Sequence, residues 1–140
     1  MPSQQQTLDQ QRARAAWESV QEVKKHSDYR EKYGPVAKKL PMYVLTNGLG
    51  QALAFLRAKA NPKDPNKPKP ENKANEAAYK HLSAWVMEQM KQDGSLLEWL
   101  LKQNAATYRR ATAEALAYLN WLKRFAEAEP ELKADAPGED

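Results

Sequence analysis

Apolar residues recur at steps of three and four along most of the chain, and no stretch alternates with period two for long enough to predict a strand. Thr7, with Gln10 three residues later, has the form of a capping box and predicts a first helix over residues 8–26. Its apolar side collects Ala13, Ala16, Val20 and Val23, with Trp17 at the edge. Ser27 or Asp28 caps a shorter second helix holding Tyr29, Tyr33, Val36, Ala37 and Leu40, which Gly34-Pro35 should kink or restart. Residues 40–59 predict a third helix, opened by Pro41 where a missing N–H costs nothing. Met42, Leu45, Leu49, Ala52, Leu53 and Leu56 line one side of it. A fourth helix over 73–91 turns Ala78, Leu82, Trp85, Val86 and Met90 inward and ends at Asp93-Gly94, with Gly94 in the left-handed cap. Ser95 and Glu98 form a second capping box before Leu96, Leu97, Trp99, Leu100 and Leu101. The last helix spans 105–128, with Pro130 shortly beyond.

The prediction is an all-α fold, a compact bundle of five to six helices. Residues 1–6 are expected to be a disordered N-terminus, 7–128 a single helical domain, and 129–140 an acidic disordered tail. Between the two helical halves, residues 61–72 carry Pro62, Pro65, Pro68 and Pro70 interleaved with Lys63, Lys67 and Lys69. Nothing there is expected to form helix, so the segment reads as an exposed loop.

The third helix works against itself. Gly48 and Gly50 each weaken a helix interior by about 1 kcal/mol relative to Ala. Glycine at such a place signals that another backbone, a partner or a ligand comes close. A helical wheel puts Gly48 near Val44 and Phe55, where it would admit a neighbouring helix. Gly50 shares a face with Tyr43, Thr46, Asn47 and Arg57, where it would clear the backbone for a partner. Tyr43, Asn47 and Gly50 are therefore candidate subunit-interface residues. An aromatic, an amide and an arginine together suit an RNA base and its phosphate, and equally a protein surface.

Charge sharpens this reading. Residues 1–60 carry ten Lys or Arg against five Asp or Glu, and residues 61–127 eleven against eight. The last thirteen residues carry one against five. The folded part is thus basic, which favours anionic partners, nucleic acid above all. On the last helix Arg109, Arg110, Asn120, Lys123 and Arg124 fall on the polar side, the most concentrated positive surface in the chain. It is either a solvated face or a phosphate-binding strip. On the first helix Arg12 and Lys24 project at the margin of the apolar face; Lys24 suits snorkelling along it, and Arg12 a groove or interface.

Catalytic chemistry is hard to assemble. There is no cysteine, and His26 and His81 sit on different helices without a zinc-protease spacing. His81 lies near its helix's apolar face and reads as a packed or rim histidine. Asn47 to Ala52 looks superficially like a phosphate loop but lacks the Gly-Lys-Ser/Thr ending and follows helix rather than strand. No enzyme, metal or cofactor is expected. With no membrane-length apolar run and no apolar signal core, the expectation is a soluble cytoplasmic protein. A helix-turn-helix regulator would need Asp93-Gly94-Ser95 as its turn, and the helix that follows is too apolar to enter a groove.

Three blocks carry a resemblance. Lys38-Lys39-Leu40-Pro41, then Asn47-Gly48-Leu49-Gly50-Gln51-Ala52-Leu53-Ala54-Phe55-Leu56, then residues 115–126 around Tyr118-Leu119-Asn120-Trp121 resemble the small all-helical, fifth subunit of the Cmr complex, the type III-B CRISPR effector. The resemblance spans roughly residues 8–128; the proline loop and acidic tail fall outside its pattern. It implies a non-catalytic subunit in antiviral defence that helps assemble a filament and binds target RNA through sequence-neutral backbone contacts. The implied partners are other subunits of the effector, guide and target RNA, and stacked copies of itself, with no membrane. Lys38, Lys39, Arg57, Lys123 and Arg124 lie in or beside the matching blocks and are the first candidates for RNA contact. Arg12, Arg109 and Arg110 follow from the wheels. The alternative is a purely structural helical adaptor with no direct RNA contact.

Overall fold

The computed structural model describes residues 6–133. Six α-helices follow one another: α1 Leu8–Lys24, α2 Arg30–Asn47, α3 Leu49–Ala60, α4 Pro70–Met90, α5 Leu96–Leu100 and α6 Ala105–Ala128, closed by a 3₁₀ turn Pro130–Leu132. The fold is all-α, with no strand among the described residues. One cluster of buried side chains draws on all six helices, from Ala16 and Val20 to Leu119, Leu122 and Leu132.

Helix ends that rest on local chemistry fall where the sequence puts them. Thr7 and Gln10 exchange both hydrogen bonds of the capping box, at 2.8 and 3.1 Å. Asn104 accepts from the Thr107 N–H at 2.8 Å and opens α6, which runs over the expected residues. The first helix stops at Lys24, two residues early, as Tyr29 and Arg30 turn back to bond the His26 carbonyl.

The middle of the chain departs from expectation. Helix α2 runs unbroken through Gly34-Pro35 and Pro41 to Asn47, so neither proline starts a helix. Each proline deletes a ladder bond, but burial of Tyr33, Ala37, Leu40, Val44 and the Pro41 ring itself offsets the loss. The break comes at Gly48, whose φ of 91° only glycine adopts without strain. The single helix expected over 40–59 is therefore two helices meeting at a corner. As a result Met42 and Leu45, each 66 % exposed, point to solvent, while Leu49, Ala52, Leu53 and Leu56 are buried.

Helix α4 starts at Pro70, three residues inside the expected loop: proline suits the first helical position, and the Asn72 side chain accepts from the Lys69 N–H at 2.8 Å. At its end the left-handed cap is Lys91 (φ 58°); Gly94 also has a positive φ (99°), but it lies three residues beyond the cap. The Gln92 and Lys91 N–H groups reach back to Met87 and Glu88 in a Schellman pattern. The Ser95 box does not form. Its hydroxyl pairs instead with Tyr79, and the first N–H groups of α5 donate to Ser83 Oγ (3.0 Å) and Tyr79 Oη (3.1 Å). A five-residue helix is thus capped from its neighbour.

Residues 130–132, placed by the sequence in the acidic tail, form the closing 3₁₀ turn. Leu132 is buried, and its carbonyl oxygen lies 1.7 Å from where a Cβ on Gly34 would stand. Only a glycine admits this crossing. Residues 1–5 of the expected disordered start and 134–140 of the expected tail lie outside the described residues.

Helix α6 packs against both α1 and α2, and α3 packs on α4. The N-terminal turn of α6 meets the start of α3, while the turn after α6 meets Gly34 near the start of α2. Helices α2 and α6 are therefore antiparallel neighbours.

Candidate nucleic-acid interface

The predicted basic residues divide into tied and free. Arg12 sends a two-pronged contact to Glu114, Nε to Oε2 at 2.8 Å and Nη2 to Oε1 at 2.9 Å. The Trp85 indole N–H donates to the same Oε2 at 2.8 Å. Glu114 is buried on the apolar side of α6, and the Arg12 hydrogen bond, followed by that of Trp85, holds its carboxyl below the usual range despite burial. Arg12 thus anchors α1 to α6 and is engaged inside the fold. Its partner was missed in the sequence, although the wheel that gathers Ala111, Ala115 and Tyr118 also passes through Glu114.

Arg57 donates to Glu98 at 2.8 Å and lies 5.6 Å from the Tyr79 ring centroid, linking α3 to α5. Arg124 has a looser ion pair with Glu127 at 3.6 Å. Lys38, Lys39, Arg109 and Arg110 are exposed and Lys123 is half-buried, and none of the five has an ion pair among the described residues. They stand on α2 and α6. Lys24, expected to snorkel, reaches Glu129 at 3.1 Å.

The corner at Gly48 separates the trio that a continuous helix would have gathered. Tyr43 and Asn47 belong to α2, Gly50 and Arg57 to α3. Tyr43 stacks on Phe55, with centroids 4.8 Å apart and planes at 26°. The exposed Asn47 side chain bonds the Tyr43 carbonyl at 3.4 Å. The Gly50 N–H donates to Tyr108 Oη at 2.8 Å, and a Cβ on Gly50 would stand 2.9 Å from that oxygen. The close approach inferred for Gly50 is real, and what approaches is a tyrosine of the same chain. A Cβ on Gly48, in contrast, would meet only that oxygen, at an ordinary 3.9 Å, so the role of this glycine is conformational.

A polar relay joins α1, α2 and α4. The fully buried Tyr33 hydroxyl pairs with His81 Nδ1 at 2.8 Å, and His81 Nε2 with Glu22 at 3.1 Å; Glu22 also pairs with His26 at 2.8 Å. Burial lowers the His81 pKa against the pull of Glu22. A neutral ring that accepts from Tyr33 and donates to Glu22 satisfies all three groups. No trio of His, Asp or Glu among the described residues is arranged to hold a metal ion, and no helix there is long and apolar enough to cross a membrane.

A family model described as CRISPR-associated protein (Cas_Cmr5) matches residues 8–129. The chain belongs to the Cas_Cmr5 family. A curated Cas_Cmr5 relative, the CRISPR system Cmr subunit Cmr5 of Thermus thermophilus, is 34 % identical over 122 residues, covering 87 % of this chain and 95 % of that protein. The crystal structure of a CRISPR-associated Cmr5 family protein, also from Thermus thermophilus, superposes with a TM-score of 0.69 at 31 % identity, covering 91 % of this chain and 99 % of that one. The match spans every helix described above, the corner at Gly48 included.

Proposed function

We propose that this Cas_Cmr5 chain is a non-catalytic subunit of a cytoplasmic CRISPR Cmr effector, helping to assemble its filament beside other subunits and further copies of itself. On this reading it holds target RNA by sequence-neutral contacts to the phosphate backbone. The observation that carries the RNA contact is the set Lys38, Lys39, Arg109, Arg110 and Lys123, without an ion pair among the described residues and on two adjacent helices, while Arg12 and Arg57 are neutralised within the fold. Cations without internal partners keep their full attraction for phosphate and release its counterions on contact. The test is the salt dependence of single-stranded RNA binding by the full chain. Replacing Lys38, Arg109 and Lys123 with Glu should weaken binding and flatten the slope of log affinity against log salt by about 0.7 per lost phosphate contact. An unchanged slope refutes the assignment.

A second reading, a helical adaptor without RNA contact, draws on Met42 and Leu45, which expose an apolar pair on α2. It predicts that replacing both with Lys abolishes co-purification with the other Cmr subunits, while the charge reversals leave assembly and RNA capture intact.

A further inference from the structure

Between α2, α3 and the first turns of α4 lies a groove of about 340 Å³, inside the size range of small-ligand pockets. Its wall includes the stacked Tyr43 and Phe55 rings. Lys32, Lys39 and Lys59 stand around it; Lys59 crosses the Phe55 ring at 5.8 Å and makes a long ion pair with Glu71 at 3.9 Å. Lys32 and Lys39 have no ion pair among the described residues, so the groove is positive even with the Glu71 carboxylate on its rim.

Its lining includes an amide with an unused acceptor. Asn75 is 3 % exposed, and its Nδ2 donates to the Glu71 carbonyl at 2.9 Å. That bond fixes the amide orientation, because only the nitrogen can donate to a carbonyl. Asn75 Oδ1 then accepts nothing among the described residues, yet it is not among the enclosed partnerless atoms, of which Gln21 Nε2 is the one found there. Asn75 is one of the residues that line the groove. An amide in the lining of an aromatic-walled, lysine-rimmed slot suits a flat ring with an N–H donor and a nearby negative charge.

We infer that this groove takes one unpaired nucleobase of a bound RNA strand, the ring against Tyr43 and Phe55, an N–H of its pairing edge on Asn75 Oδ1, and the flanking phosphates on Lys32, Lys39 and Lys59. Every RNA base carries an N–H donor on that edge, so the slot tolerates any sequence. The inference rests on the RNA-binding reading above and adds a site apart from the α6 cations.

The test uses the full chain with a fluorescent oligouridine decamer, a decamer of N3-methyluridine that lacks the N–H, and a decamer bearing 5-iodouridine for photocrosslinking. The methylated strand should bind roughly fivefold more weakly, the worth of one neutral hydrogen bond. Asn75→Leu should bind both strands equally, and Phe55→Ala should weaken the unmodified strand about tenfold. Phe55 is partly exposed, so this second variant keeps its fold if Asn75→Leu does not. The crosslink should fall on Tyr43 or Phe55. RNA bound with equal affinity for both strands, or crosslinked only elsewhere, overturns the slot and leaves the RNA reading standing. Binding lost in Phe55→Ala but untouched by the reversals at Lys38, Arg109 and Lys123 supports the slot and removes the α6 strip. No RNA binding by the unaltered chain overturns both.

Discussion

The Arg12–Glu114–Trp85 junction allows a quantitative test of what holds α1 to α6. Glu114→Leu removes three hydrogen bonds at 2.8–2.9 Å, two of them within an ion pair. Breaking a buried pair from one side costs about 3–5 kcal/mol. The Arg12 side chain keeps 21 % of its surface and recovers part of its hydration, so the loss should be about 2–3 kcal/mol. Arg12→Met leaves a carboxylate with 10 % of its surface exposed and only the indole as donor, and should cost a similar amount. Removing both partners strands no charge, so the double variant should lose about 3 kcal/mol rather than the sum, a coupling of about 2 kcal/mol. Urea unfolding followed by helical circular dichroism measures all four corners of the cycle. Simple additivity would refute the argument that the two side chains stabilise each other. The pH dependence gives an independent check. The Glu114 pKa is depressed in the fold, so its contribution is complete above the ordinary carboxylate value and fades as pH falls through the folded one. The gap between the unaltered chain and Glu114→Gln should therefore close toward acid.

Three further outcomes follow from the packing. Gly34→Ala places a Cβ 1.7 Å from the Leu132 oxygen and should expel the closing turn, at a cost near the 2 kcal/mol of burying one leucine; in a Leu132→Ala background the same change should cost little more, as thermal unfolding would show. Tyr108→Phe removes the hydroxyl that accepts from the Gly50 N–H, and should cost about 1 kcal/mol and speed amide exchange at Gly50. His81 is neutral in the fold with a lowered pKa, so the unfolded chain binds the extra proton first; stability should fall as pH drops below 6.5, and His81→Gln should flatten that slope in urea titrations from pH 7 to 5.

The starts of α1 and α6 were legible because their signals are local: a hydroxyl or amide side chain three residues from the N–H it caps. The corner at Gly48 was not. Periodicity runs straight across it, since Leu45 and Leu49 keep helical spacing although one faces solvent and the other the core. What sets the corner is a glycine φ and a tyrosine fifty-eight positions downstream, neither visible in a window of twenty residues. Pro41 misled for the converse reason, because burial outweighed propensity. Among the candidate site residues, charge and position on a wheel identified Arg109 and Arg110 as outward-facing, while Lys38 came from the resemblance. They could not reveal that Arg12 and Arg57 have internal partners, because those partners come from helices distant in sequence.

The docking of α6 against both α1 and α2 has a consequence for how the chain is made. The first two helices touch each other little, and each finds its main neighbour in a helix translated last. Until residues 105–128 leave the ribosome, α1 and α2 lack the helix against which both pack most, and the Gly48 corner lacks the hydroxyl that pins it. The N-terminal half therefore waits, apolar side open, for its last partner, and a chain interrupted before α6 should be a substrate for chaperones rather than a smaller folded unit.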